Sequence, residues 1–398
     1  MHQTLIALML FPGLKGTASD QIQWCDILRP STPLKTEGLM KPASKLNNLQ
    51  VLRAFAAVSV ALYHTFYILP GMQIFGSFGV DVFFVISGYI MARILHKSPD
   101  FFLRRRIIRI VPPYWLFTFL IYVVALVAPQ LLHTTRATSM ELVKSLFFIP
   151  YAKPLPGGGK LIQPLLGVGW TLSFEMLFYL SLAVGLAISR KKAVWIGVGI
   201  VLAALMTSFA FAARSDIAQF FAHSNMLEFI FGVLAYYVCR EIHAASARRM
   251  RIPALGLCIA SVLALICFQG LLPASFLSTA PNALLLGIPS FILIVSATIL
   301  SIAGWDTNVA PLILIGDASY MLYLVHFFCI YGIDRILAAR WHWLRVSAPI
   351  GAITGISLSI LVAIALHLLI ERPTLNALLR KFGGNRPATE LPPVHLPG

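Results

Sequence analysis

The chain has 398 residues, 58% hydrophobic and only 12% charged, against about 25% charged in an ordinary soluble domain, and a mean hydropathy of +0.82. That balance excludes a water-soluble globular protein and predicts an all-α integral membrane fold. Lys and Arg total 31 against 15 Asp and Glu, a formal charge of +16, but the basic residues lie between apolar runs and on no nucleic-acid-reading motif, so they are read as setting orientation in the bilayer, with no nucleic-acid partner.

Residues 1–47 mix a short apolar run with Pro, Lys and Ser and read as a disordered extension, the run being too short to span; Met40 is an alternative start. Ten apolar spans follow, at 52–70, 76–95, 107–131, 166–189, 193–213, 219–239, 252–272, 283–303, 310–334 and 347–370, with no appended soluble domain. The long gap 132–165 holds Pro150, Pro154, Pro156 and Gly157-Gly158-Gly159 and reads as a mobile loop. Residues 376–398 read as a disordered tail. With the N-terminus inside, the inner segments carry 22 Lys or Arg and the outer ones eight, Arg53 sitting at the inner end of the first span; both termini are expected in the cytoplasm. The five cysteines form no Cys-x-x-Cys pair, so neither a disulfide framework nor a metal site is expected.

Ionisable groups at membrane depth are costly, and each is a candidate for a site. Arg53 and His64 stand eleven positions apart in the first span, near three whole turns, which puts them on one face about 16 Å apart. His64 suits a general base. In the second span Asp81 either complements the helix N-terminus or orients His64, and the Ser87-Gly88 pair reads as permitting close packing. At the edge of the third, Arg105, Arg106 and Arg109 make a guanidinium cluster suited to phosphate, although anchoring explains it nearly as well. In the fourth, Glu175 and Tyr179 share a face at i,i+4, and Trp170 reads as an interface-belt residue. Ser319, Tyr323 and His326 fall on one stripe read mainly as structural hydrogen bonding. Glu228 reads as a packing or access group, and His367 with Glu371 as a structural pair. Together these point to a phosphorylated, thioester-bearing donor gripped inside, with a base toward the other side. A secondary transporter with a His/Glu/Asp proton relay is the alternative, though no internal repeat supports it; a scaffold for a polysaccharide-export complex is a third reading.

The same stretches resemble the membrane acyltransferase-3 family, in family order: Arg53-x10-His64; Gly79-Val-Asp-x-Phe-Phe-x-x-Ser-Gly-Tyr89; Arg105-Arg-x-x-Arg-Ile-x-Pro-x-Tyr-Trp115; Gly169-Trp-Thr-Leu-x-x-Glu-x-x-Phe-Tyr179; Ser319-Tyr-x-x-Tyr-Leu-x-His326; and Glu371-Arg-Pro373. The likeness covers about 48–375 and is nearest the exopolysaccharide-production acetyltransferase branch. It implies transfer of an acetyl or other short acyl group from cytoplasmic acetyl-CoA, without a metal, to a hydroxyl of an exported or envelope saccharide. The setting would be a bacterial-type inner membrane, beside polysaccharide synthesis or export machinery. It further implies His64, Glu175 and Asp81 as catalytic, Arg53, Arg105, Arg106, Arg109 and Tyr114 as donor-binding, and Trp170, Tyr179, Ser319, Tyr323 and His326 as supporting residues.

Overall fold

The computed structural model describes residues 46–68, 76–132, 138–155, 158–271, 283–340 and 348–382. In chain order the helices are α1 (Asn47–Ile68), α2 (Phe78–Lys97), α3 (Phe102–Val127), the short α4 (Ser139–Leu146), α5 (Trp170–Ile188), α6 (Ala193–Phe211), α7 (Asp216–Phe221), α8 (Met226–Arg240) and α9 (Ala244–Leu271). After a π turn at Ala283–Gly287 come α10 (Ile288–Ile302), α11 (Ala310–Asp317), α12 (Ser319–Arg340), α13 (Ala348–Leu366), a second π turn at His367–Glu371 and α14 (Arg372–Phe382). Strands β1 (Tyr151–Pro154) and β2 (Lys160–Gln163) form one antiparallel hairpin, Tyr151 opposite Gln163.

Eight described helices are long and apolar enough to cross a bilayer, or nine if α11 and the start of α12, bent by 76° at their junction, make one broken span. The sequence suggested one continuous helix there. Gly316 explains how the short α11 reaches the centre: a Cβ at this position would lie 2.1 Å from the Gln50 carbonyl oxygen of α1, so only a glycine lets the two backbones meet. The first helix, 22 residues long, carries Asn47, Asn48, Gln50, Arg53 and His64.

This polar helix is the axis of the bundle. It packs against α2, α10, α11, α12 and α13, and Leu52, Ala56, Ala57 and Val60 are buried in the main core. Apolar side chains are instead exposed on the peripheral helices, as at Leu120 and Val123 on α3, Met206 on α6, Leu263 on α9 and Leu361 on α13. Exposed apolar surface on that scale fits hydrocarbon, not water. The tightest crossing joins α2 to α8, where Gly88 meets Gly232; a Cβ on Gly88 would lie 2.0 Å from the Phe229 carbonyl oxygen. The packing role read for Ser87-Gly88 therefore belongs to the glycine alone.

Two expectations change. Residues 138–155 and 158–165 are folded, not a loose loop: Thr138 and Glu141 form a reciprocal capping box that starts α4, and the hairpin follows. The stretch read as tail from 376 is helical as far as Phe382. Residues 1–45 and 383–398 lie outside the described residues.

Candidate active site

Basic residues gather at one end of the bundle. There Arg190 pairs with Asp100, Arg240 with Glu241, and the Arg104 guanidinium lies 5.6 Å from the centre of the Phe382 ring. The hairpin marks the other end. Into the core from the basic end runs a cavity of about 120 Å³, lined by Arg53, Arg106 and Arg109 and, further along, by Ser87, Thr171, Glu175, Tyr179, Ser319 and Tyr323, among others.

Each polar wall is held by a helix described above. Arg53 is buried, 9% exposed, and donates through Nη2 to Ser319 Oγ at 2.9 Å and through Nη1 to Gln50 Oε1 at 3.1 Å. Arg106 and Arg109 lie one turn apart on α3, just before Pro112 and Pro113, which deprive the carbonyls of Ile108 and Arg109 of their helical donors. Arg105, on the same turn, is half-buried and does not line the cavity. On α5, Glu175 Oε1 accepts from Ser87 Oγ at 3.0 Å and from the Tyr179 hydroxyl. The Tyr323 hydroxyl lies 2.7 Å from Thr171 Oγ1 and donates to the Val168 carbonyl at 2.5 Å.

His64 lies outside this lining. Its Nδ1 is 3.0 Å from the Val60 carbonyl and 3.1 Å from Nε2 of His326, whose own Nδ1 is 3.0 Å from the Leu322 carbonyl. Carbonyl oxygens only accept, so hydrogen-bond logic assigns the proton to Nδ1 in both neutral rings. His326 Nε2 then accepts from His64 Nδ1–H, and the lone pair on His64 Nε2 is left for a substrate proton. Tyr323 stands between the two sets of groups: it lines the cavity, and its ring centre is 6.0 Å from that of His326.

The structure thus brings Arg53, Arg106, Arg109, Glu175, Tyr179, Ser319 and Tyr323 to one cavity, and His64 to His326. It does not join Glu175 to His64 by a hydrogen bond. Asp81 also turns elsewhere, accepting from Asn225 Nδ2 at 2.8 Å beside the buried Glu228 on α8, because Gly88 and Gly232 draw α2 against that helix. Tyr114 is fully buried and donates to the Ser145 carbonyl at 2.9 Å, tying α3 to α4. Trp170 packs edge-on to Phe84 and Phe174. His367 and Glu371 do pair, at 2.7 Å. Ser87, Thr171 and Tyr320 are cavity residues that the sequence reading did not select. The signal for Ser87 was present: Val80, Phe83, Phe84, Ser87 and Met91 fall on one helical stripe, and all five line the cavity.

The hairpin fixes where α5 begins. Lys153, 2% exposed, donates from Nζ to the carbonyls of Pro164 at 2.7 Å and Leu165 at 3.2 Å, and Leu165 N–H donates to Ser145 Oγ at 2.8 Å. Burial pushes the Lys153 ammonium down from 10.5 to about 8. A lysine depressed in the folded state makes the unfolded chain the better proton binder between those two values, so stability rises with pH across that window, by about 3 kcal/mol at most. Lys153→Met is therefore expected to lose this dependence, so that wild type gains melting temperature relative to the variant from about pH 8 to pH 10; a difference independent of pH would refute the buried charge.

A profile of the acyltransferase domain (Acyl_transf_3) matches residues 46–368. The exopolysaccharide production protein ExoZ of Rhizobium meliloti (strain 1021) is 33% identical over 310 residues, 76% of this chain and 90% of ExoZ. The acyltransferase MdmB of Streptomyces mycarofaciens is 27% identical over 87% of this chain and 95% of its own. A Bacillus subtilis (strain 168) protein named for peptidoglycan O-acetyl transfer, YrhL, is 34% identical over 36% of this chain and 25% of its own. No solved structure matches the chain significantly. With the family profile covering the helical bundle through α13 and residues from five of its motif stretches lining one cavity, this chain belongs to the membrane acyltransferase-3 family and is a multi-pass membrane acyltransferase.

Proposed function

We propose that the protein moves an acetyl group from acetyl-CoA, taken up on the cytoplasmic side, to a hydroxyl of an exported or cell-envelope saccharide at a bacterial inner membrane, with both termini inside. The observation that carries this reading is the cavity itself, which gathers three guanidiniums and a carboxylate with hydroxyl partners around one space. Three like charges around so small a space call for an anion, and a CoA thioester supplies phosphates at its nucleotide end. The guanidiniums meet the phosphates at the basic end of the cavity, and the pantetheine arm carries the thioester further in. The excess of Lys and Arg at that end supports its cytoplasmic placement, and the likeness to ExoZ supports a saccharide acceptor.

In this mechanism His64 Nε2 takes the acceptor hydroxyl's proton as its oxygen attacks the acyl carbon. His326 holds the tautomer and accepts from the imidazolium that forms, the part a carboxylate plays in hydrolase triads. Membership of an acyltransferase family displaces the transporter reading. The test is to express the protein in a strain whose polysaccharide lacks ester-linked acetyl and to measure acetyl by proton NMR, with thermal melting of the purified protein in acetyl-CoA. New acetyl esters and a raised melting point are expected, donor at 100 times its Kd giving about 2.7 kcal/mol. No acetyl ester and no shift at saturating donor would end the proposal.

A further inference from the structure

Several serines inside these helices share one habit. Ser59, Ser181, Ser261 and Ser359 each donate to the carbonyl four residues earlier, at 2.7 to 2.9 Å, which satisfies a hydroxyl in an apolar setting. Ser87 departs from it. Its hydroxyl faces the cavity and donates to Glu175 Oε1 at 3.0 Å, and the same carboxylate oxygen accepts from Tyr179, whose hydroxyl lies 3.1 Å from Ser87 Oγ. A hydroxyl nucleophile, a base in hydrogen-bond reach and a third group that orients the base are the working parts of covalent catalysis. Arg53, Arg106 and Arg109 add positive charge on the same cavity, where an acyl carbonyl attacked by Ser87 develops negative charge.

Resting on the acyl-transfer reading above, we propose that Ser87 is a covalent acyl carrier. In the first half-reaction Ser87 Oγ attacks the thioester carbonyl, the Oγ–H proton passes to Glu175, the new O–C bond forms and the C–S bond breaks. The departing thiolate takes the proton from Glu175. In the second, the acceptor oxygen attacks the acyl carbon as its proton passes to His64, the bond from that carbon to Ser87 Oγ breaks, and the imidazolium gives the proton to Ser87 Oγ, so both groups end as they began. Two half-reactions account for why Glu175 and His64 belong to separate hydrogen-bonded groups on either side of Tyr323.

The experiment uses purified full-length protein in lipid nanodiscs with radiolabelled acetyl-CoA and no saccharide, quenched in acid, digested and mapped by mass spectrometry. Label approaching one acetyl per chain is expected on the Ser87 peptide, stable to neutral hydroxylamine. Ser87→Cys keeps the label but makes it a thioester that hydroxylamine releases, which separates chemistry from misfolding. Ser87→Ala loses the label, and turnover falls at least about a hundredfold, the low end of what a catalytic group supplies. His64→Ala keeps the label and stops its discharge to saccharide. Acetyl on His64 alone, or no acyl protein together with near wild-type turnover in Ser87→Ala, overturns the carrier and leaves acyl transfer standing. A wild-type protein that neither labels, transfers acetyl nor is stabilised by acetyl-CoA sinks both readings.

Discussion

His64→Ala is expected to lower acetyl transfer to saccharide by about 10²- to 10⁴-fold, the range a positioned general base supplies. Donor affinity should hold, because His64 does not line the cavity that receives the thioester. His326→Leu removes the acceptor of His64 Nδ1–H but leaves the Val60 carbonyl at 3.0 Å, so the ring keeps part of its orientation and the loss is smaller. Since the two histidines act as one unit, the double variant should be no slower than His64→Ala alone. Release of ester-linked acetyl from product polysaccharide, followed over time, gives all three rates. Losses that multiply in the double variant would show that the histidines act independently and would remove His326 from the mechanism.

The second large effect is on the donor. Arg53→Ala strips a buried guanidinium from the cavity wall and leaves Ser319 Oγ and Gln50 Oε1 without their donor. A hydrogen bond to a charged group is worth about 1.5–3 kcal/mol, so affinity for CoA should drop about ten- to a hundredfold. Arg53→Lys restores charge but not the fork that reaches two partners at once, and is expected to recover only part of the loss. Lys160→Ala, whose ammonium pairs with Asp216 beside the hairpin, serves as the control and should bind CoA as wild type does. Calorimetric titration with CoA, which carries no acyl group, isolates this effect from chemistry. Unchanged affinity in Arg53→Ala would place the donor elsewhere.

Residue type at membrane depth was enough to select Arg53, Arg106, Arg109 and Glu175, which line one cavity, and His64, which meets His326 instead, because a charged or titratable group in an apolar run has few reasons to be there. Which groups touch was harder to read. Helical spacing shows that Ser319, Tyr323 and His326 face one way, yet nothing in it says that this face meets α1, 262 positions from His326 to His64. Asp81 failed for the same reason: its helix face was legible, but the Gly88–Gly232 crossing that turns it to Asn225 depends on two segments meeting. Ser87 was hidden by its neighbour, since a small pair beside a glycine suggests packing before chemistry. The hairpin was lost to its prolines and glycines, which signal a break without showing that Lys153 ties the turn down from beneath.

Tyr323 has one more consequence, which concerns voltage. An energised membrane drives each elementary charge with about 2.3 kcal/mol per 100 mV, and a continuous file of titratable groups and water from one face to the other would conduct protons. The Tyr323 hydroxyl is instead committed to Thr171 and the Val168 carbonyl, and among the described residues no hydrogen bond links the Glu175 group to the histidine pair, so the two sets make no continuous file.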